Sequence, residues 1–313
     1  MSLLPVRPAL EVLARQRGSV AALQLAGGPH PQLHPAAVIQ PDRSMRRGES
    51  APDWDLQQTF SEVHVLATPS REETMAYLAL ARRAGGRVFL CAENRLGADS
   101  YRKKLKPIES HSQMHCRLLE LDPANLPESG NPLELRPPFP GADFVSCPGL
   151  FSWDRFDPGS ELLVEFLPKV LSGRGADLGC GPGLLARRLL ERGCQHVDLI
   201  DVDQRATEAA FLNCGSDKKR CKPIWLDLVQ EKSPGGYDWI TLNPPFHGTG
   251  QEVRALGVTL LGRAAQGLRK GGQLWMVSNE HLRYQEALAL LNLELLEVRH
   301  QRGYKLFQCQ KNA

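Results

Sequence analysis

The sequence predicts an α/β protein in which a smaller α/β domain precedes an open, doubly wound, Rossmann-like sheet. Strand and helix patterns alternate from about residue 62 to the C-terminus, which is typical of parallel sheets covered by helices. The chain has 313 residues, more than one hydrophobic core usually spans. Prolines accumulate between Pro123 and Pro148 and indicate a linker or boundary. We therefore expect two domains, residues 1–140 and residues 141–313.

The composition is that of a globular protein, with 42% hydrophobic and 23% charged residues. A net charge of +3 neither requires nor excludes nucleic acid, because a local basic face is diluted in the total. No apolar run reaches the ~18 residues of a membrane helix, and charged residues interrupt the N-terminus, which argues against a secretory signal. The eight cysteines form no C-x-x-C pair. We expect a cytoplasmic monomer with reduced thiols, no metal and no membrane partner.

In the first half, a helix is predicted over 9–17, followed by a stretch rich in Gly, Pro, His and Arg. A strand follows over 63–67, then a Thr-Pro-Ser cap, a helix over 71–84, a Gly-Gly turn and a strand over 87–91. This order is a βαβ unit, for which a parallel sheet is the expected setting.

The second half repeats the alternation with more units. Helices are predicted over 160–171, 184–193, 205–213, 252–268 and 284–291, strands over 196–201, 223–227, 239–242, 273–279, 295–299 and 305–309, and turns over 177–183 and 270–272. In a sheet of this kind, ligands bind at the carboxyl ends of the strands.

The two halves share a pattern. VHVLATPS, a helix and GGRVFLCAEN in the first half follow the same order as DWITLNPP, a helix and GGQLWMVSN in the second. We interpret the N-terminal half as a duplicated domain that has lost its chemistry and serves as a scaffold or docking surface. The alternative is a chance agreement between two βαβ units.

A glycine-rich turn follows Asp177, with Gly179, Gly181 and Gly183 at every second position. A dinucleotide-binding fingerprint needs glycine where this chain has Leu184, and Pro182 removes an amide that a pyrophosphate could use. The turn therefore permits close approach of a ligand to the backbone without forming a phosphate site.

Two further carboxylates close predicted strands. Asp201 ends the next strand, where it can accept the two hydroxyls of a ribose, and Asp227 ends the one after, where it can accept an adenine amino group. Asp203 is a rival for the role of Asp201, but we favour it as the N-cap of the following helix.

The strand over 239–242 delivers Asn243, Pro244, Pro245 and Phe246 to its carboxyl end. Two prolines cannot continue a sheet ladder, so this tip exposes an amide carbonyl, a proline carbonyl and an aromatic ring. That set suits a planar base with an amino group. The alternative is a strand that ends in a proline turn with a capping Asn.

Taken in order, these motifs resemble the class I S-adenosylmethionine-dependent methyltransferases, and within them the ribosomal RNA guanine-N2 methyltransferases of the RsmC type, with the large-subunit RlmG type as sister group. The resemblance rests on PGLFSWDRFDPGSELL (148–163), DLGCGPG, DVD, NPPFH, KGGQLWMVSN and GYKLF (303–307), and on CAENRLG (91–97) in the degenerate first half. It implies a seven-stranded methyltransferase sheet. The implied binding residues for S-adenosyl-L-methionine are Asp177, Gly179, Gly181, Gly183, Asp201, Asp227 and Asn243, and the implied catalytic residues are Asn243, Pro244, Pro245 and Phe246.

The resemblance further implies methylation of the exocyclic N2 of a guanine in 16S rRNA, with ribosomal RNA or the assembled small subunit as partner. Asp157, Gly159 and Ser160 resemble an element that folds over the cofactor, although a linker with Ser160 as helix N-cap is the alternative. Other candidate functions are a 23S rRNA enzyme, a glutamine-amide methyltransferase of release factors, an adenine-N6 enzyme and a non-enzymatic assembly factor. Phe246 and His247 favour the ribosomal RNA group, and the retained Asp177, Asp201 and Asn243 disfavour the assembly factor.

Overall fold

A computed structural model describes residues 8–17, 22–26, 37–39, 59–128, 134–245 and 250–312. The chain divides into two compact units. The N-terminal unit comprises Met1–Glu134 and Cys147–Gly149, and the C-terminal unit comprises Leu135–Ser146 and Leu150–Ala313.

The N-terminal unit contains a six-stranded sheet with the order β2-β1-β3-β4-β6-β5. Strands β1 to β4 run parallel, and β6 and β5 are antiparallel additions beside β4. The predicted βαβ unit is confirmed, and Ser70 Oγ caps its helix by accepting the Glu73 N–H. Its elements are α1 (Pro8–Arg17), β1 (Leu23–Leu25), β2 (Ala37–Ile39), β3 (Glu62–Leu66), α2 (Arg71–Ala84), β4 (Arg87–Glu93), α3 (Ala98–Leu105), β5 (Glu109–Gln113) and β6 (Cys116–Leu121).

The C-terminal unit contains the predicted seven-stranded sheet, with the order β12-β13-β11-β10-β7-β8-β9. Its elements are α4 (Pro158–Phe166), β7 (Arg174–Leu178), α5 (Leu184–Glu191), β8 (His196–Asp201), α6 (Gln204–Asn213), β9 (Cys221–Trp225), β10 (Tyr237–Leu242), α7 (Gly250–Gly267), β11 (Leu268–Asn279), α8 (Gln285–Leu290), β12 (Leu293–Gln301) and β13 (Tyr304–Lys311). The parallel strands β7 to β11 bring their carboxyl ends to one edge of this sheet.

Helices cover both faces of this sheet. Successive residues of a strand point to opposite sides, so neighbours on one strand pack against different helices. On β10, Trp239 joins a buried cluster with residues of α4, α5 and α6, whereas Ile240 joins a second cluster with residues of α7 and α8. The sheet is therefore doubly wound, and the strand ends that carry the candidate site lie between two layers of helices.

Several boundaries differ from the predictions. Helix α4 begins at Pro158 and not at Ser160, because Asp157 is its N-cap and accepts the Ser160 N–H at 2.7 Å. It ends at Phe166 because Pro168 disfavours helix at the preceding residue. Strand β9 ends at Trp225, so Asp227 does not close it but lies two residues beyond. The predicted turn over 270–272 lies within β11, beside a shift in its register with β10.

All eight cysteines are buried, and none forms a disulfide. In the described part of the chain, no helix is long and apolar enough to cross a membrane. No group of three or more His, Cys, Asp and Glu side chains in this part is placed to hold a metal ion.

Candidate active site

Asp177 lies within β7, an interior strand of the sheet, and is wholly buried. Its Oδ1 accepts the Thr241 hydroxyl at 2.9 Å, and among the described residues its Oδ2 makes no hydrogen bond of normal geometry. Burial raises the pKa of Asp177 to about 7, an effect that the Thr241 hydroxyl partly offsets. The site therefore contains a carboxyl group whose charge is poorly compensated by the protein itself.

The glycine turn leads from β7 to α5, and its three glycines serve different purposes. Gly179 and Gly181 have φ values of 72° and 51°, and a Cβ added to either would meet no atom within 4 Å. Gly183 has a φ of 86°, and a Cβ there would lie 2.6 Å from Cα of Ala210 in α6. The first two glycines leave open space for a ligand, whereas the third is required by helix packing.

The carboxylate of Asp201 is bound to the same turn. Its Oδ2 accepts the Gly181 N–H and its Oδ1 accepts the Asp203 N–H, both at 2.9 Å. Asp203 is the N-cap of α6 and accepts the Arg205 N–H, which confirms the capping role predicted for it.

Asp227 is buried in the turn after β9. Its Oδ1 accepts the Val229 N–H at 2.9 Å and its Oδ2 accepts the Gln230 side-chain amide at 2.6 Å. These contacts stabilise its own turn, so a role toward an adenine would use the remaining lone pairs.

Asn243 follows β10 directly and is held by α4. Its Nδ2 donates to Asp157 Oδ2 at 2.8 Å and to Ser160 Oγ at 2.9 Å. Within the described residues, its Oδ1 accepts no hydrogen bond and is available to a ligand. Pro244 is buried and Pro245 is exposed. Phe246 and His247 lie outside the described residues.

A pocket joins the glycine turn to the tip of β10. It brings together Gly179, Gly181, Gly183 and Asn243, whereas Asp177, Asp201 and Asp227 are not among its lining residues. Its other walls include Phe144, Phe151, Phe156, Asp157 and Ser160. Phe144 was not predicted as a site residue from the sequence, because no motif surrounds it. In the structure the centroid of its ring lies 4.7 Å from that of Phe156.

Comparison with known proteins shows which family the chain belongs to. The methyltransferase small domain family matches residues 141–308. Ribosomal RNA small subunit methyltransferase C of Pseudomonas entomophila is 36% identical over 265 residues, which cover 79% of this chain and 78% of that protein. The chain belongs to the ribosomal RNA small subunit methyltransferase C family.

A second relative and a solved structure also match this chain. The protein of this name from Pseudomonas paraeruginosa is 34% identical over 304 residues, covering 88% of this chain and 91% of the relative. A solved T. thermophilus 16S rRNA N2 methyltransferase, in complex with AdoMet and guanosine, matches with a TM-score of 0.75. It is 23% identical and covers 98% of this chain and 92% of its own, so this match shows the shared fold. The resemblance drawn from the sequence motifs is confirmed.

Proposed function

We propose that this protein transfers the methyl group of S-adenosyl-L-methionine to the exocyclic N2 of a guanine in 16S rRNA. Membership of this methyltransferase family supports the reaction class. The orientation of the Asn243 side chain supports an amino group as the acceptor of the methyl group. A carboxylate accepts hydrogen bonds only, so the contact with Asp157 Oδ2 turns the Asn243 nitrogen toward α4 and leaves its carbonyl oxygen for the substrate.

The residues present fit the cofactor. S-adenosyl-L-methionine supplies a methyl group on a positively charged sulfur, and it also carries ribose hydroxyls and an adenine amino group. Gly179 and Gly181 leave the space that a ligand close to the backbone requires. The carboxylates of Asp201 and Asp177 can accept hydroxyl groups and offset positive charge, respectively. We assign cofactor binding to Asp177, Gly179, Gly181, Gly183, Asp201, Asp227 and Asn243.

An exocyclic amine of guanine is a poor nucleophile because its lone pair is delocalised into the ring. The Asn243 Oδ1 and the Pro244 carbonyl would accept its two hydrogens and turn the lone pair toward the methyl group. The methylated cation then loses its proton readily to water, so no strong base is needed. Alignment of this kind supplies ~7–11 kcal/mol in favourable cases.

The remaining catalytic residues have supporting roles. Pro245 prevents the tip from continuing as a strand, and Phe246 would stack on a base that is single-stranded or flipped out of its helix. We assign the chemistry to residues 141–313, and docking to ribosomal RNA or the small subunit to residues 1–140. We propose that the protein acts as a cytoplasmic monomer.

The Asn243→Ala variant tests this function. It should abolish methyl transfer while the dissociation constant for the cofactor, measured by calorimetry, changes far less, because the variant retains the other assigned cofactor residues, including the glycine turn and Asp201. A tritiated-methyl assay should offer 16S rRNA, assembled small subunits, 23S rRNA and a release factor in parallel. Full activity in the variant would exclude the role of Asn243, and labelling of the release factor alone would replace the substrate class.

A further inference from the structure

We infer that Asp157 is a positioning residue that locks the side-chain amide of Asn243 in the orientation that catalysis requires. This inference rests on the proposed function and adds to it a residue from a separate element. Asp157 and Asn243 are separated by 86 positions in the chain, yet their side chains are in direct contact at 2.8 Å.

The contact uses the full donor capacity of the amide. The Nδ2 of Asn243 carries two hydrogens, and two acceptors are present, Asp157 Oδ2 at 2.8 Å and Ser160 Oγ at 2.9 Å. Rotation of the amide by half a turn would place its oxygen against the carboxylate, which has no hydrogen to donate. Because Asp157 and Ser160 are each 7% exposed, water has little access to replace the lost bonds.

The position of the carboxylate is itself fixed by α4. Asp157 is the N-cap of this helix, and the same Oδ2 accepts the Ser160 N–H at 2.7 Å. Leu162 and Leu163 anchor the helix in the buried cluster that also contains Trp239 of β10. Gly159 has no side chain that could displace the carboxylate, since a Cβ there would lie 3.1 Å from Asp157 Oδ2. The amide is therefore oriented by a helix start and not by a loop.

The orientation matters because the two ends of an amide have opposite hydrogen-bonding roles. The terminal torsion of an Asn side chain is broad and roughly two-fold, so without Asp157 the amide would also present its NH₂ group to the substrate amine. Two donors facing each other cannot align the lone pair. Loss of Asp157 should therefore slow methyl transfer without weakening the cofactor site to the same extent.

Asp157→Ser separates this role from helix capping. Serine is a good N-cap residue, so α4 should persist, but its shorter side chain does not reach Asn243. We expect kcat to fall about 100-fold, the size of effect that small misplacements produce, with little change in the cofactor dissociation constant or in Tm. Asp238→Ser is the matched control, because Asp238 accepts the Arg174 N–H near the amino end of β10, at the opposite end of the strand from Asn243. It should retain wild-type kcat.

Ser160→Ala provides a second measurement. It removes the Oγ contact with Asn243 but leaves the cap intact, since Asp157 accepts the backbone N–H of this residue. We expect a smaller loss of kcat than in Asp157→Ser. Combined with Asp157→Ser, the loss should be less than the product of the two, because both act through one amide.

The outcomes distinguish the inference from the function on which it rests. Wild-type kcat in Asp157→Ser, with Asn243→Ala inactive, would overturn the positioning role and leave the function intact. A parallel loss of cofactor affinity in Asp157→Ser would also overturn it, because Asp157 would then belong to the cofactor site. Full activity in Asn243→Ala would instead remove the catalytic role of Asn243, whereas wild-type protein that labels only the release factor would remove the proposed function.

Discussion

At the scale of single residues, Asp177 illustrates a conflict between stability and binding. A carboxyl group buried at the centre of a sheet is costly to ionise, and burial raises the pKa of Asp177 to about 7 from an ordinary value of 3.8. A group that served only the fold would be better replaced by an uncharged side chain of the same shape. Under the proposed function, the positive charge of the cofactor would offset this cost.

The raised pKa of Asp177 predicts how stability depends on pH. Between about pH 4 and pH 7 the folded state keeps this proton while the unfolded state has lost it. The unfolded state thus binds fewer protons, and the free energy of unfolding falls as the pH rises through this window. At about 1.36 kcal/mol per pKa unit, the loss is on the order of 4 kcal/mol.

The Asp177→Asn variant should lack this contribution. Urea unfolding at pH 5, 6, 7 and 8 without cofactor should give a flatter dependence on pH than the wild type, with the variant equally or more stable at pH 8. Thr241 can still donate its hydroxyl to the amide oxygen at the position of Oδ1. An identical decline with pH in both proteins would show that other groups cause it.

The sequence was sufficient to predict that Asp177, Asp201 and Asn243 lie at or near strand ends that meet at one edge of the sheet. It could not predict the contact of Asn243 with Asp157, since no local pattern reports which of two distant elements pack together. The start of α4 was misplaced by two residues for a local reason: Asp157 and Ser160 are both good caps, and only Pro158, favoured at the first helical position, decides between them.

At the scale of elements, the glycine turn contributes both to the packing of α6 and to the pocket. A methyl group at Gly183 would collide with the backbone of α6, and alanine would also be strained by the left-handed conformation of this position. A methyl group at Gly181 would meet nothing, so its structural cost is limited to the left-handed conformation, about 1–2 kcal/mol. One turn thus contains a glycine that the fold requires and a glycine that the pocket requires.

Gly183→Ala and Gly181→Ala should therefore have opposite profiles. Gly183→Ala should lower Tm more, because overpacking adds about 1–3 kcal/mol to the conformational cost. Gly181→Ala should weaken cofactor binding more for each degree of Tm lost, because its methyl group would occupy the open space beside the pocket. Thermal unfolding and calorimetric titration on both variants provide the comparison. Equal losses in both measurements would mean that the two glycines share one role.

Prediction of elements from the sequence succeeded where the pattern was long. Helix α2 and strand β8 were predicted at their observed bounds, since each has a clear period and clear flanking signals. Strands β1 and β2 have three residues each, too few for alternation to be distinguished from chance. The pairing of β1 with β2 and with β3 arises from the assembled sheet and not from local preference.

At the scale of the whole molecule, the two units share a strand order. The N-terminal sheet reads β2-β1-β3-β4-β6-β5, and six strands of the C-terminal sheet read β8-β7-β10-β11-β13-β12. Corresponding pairs are parallel or antiparallel alike. This agreement supports the hypothesis of a duplicated domain. The strands β10 and β3 correspond, but β10 is followed by Asn243 whereas β3 is followed by Ala67 and Thr68. The Thr68 hydroxyl donates a hydrogen bond to the Ser70 carbonyl beside the N-cap of α2.

If the chemistry belongs to one unit, a ligand should stabilise that unit selectively. The N-terminal unit has its own buried cluster, and the C-terminal unit has two others, so we expect two transitions in scanning calorimetry of the full chain. Cofactor at 100 times its dissociation constant stabilises its binding unit by about 2.7 kcal/mol. One transition should therefore shift upward by roughly 5–10 °C while the other keeps its midpoint. The shift should be much smaller in Gly181→Ala, which ties the moving transition to the glycine turn, whereas a shift of both transitions together would show that the units unfold as one.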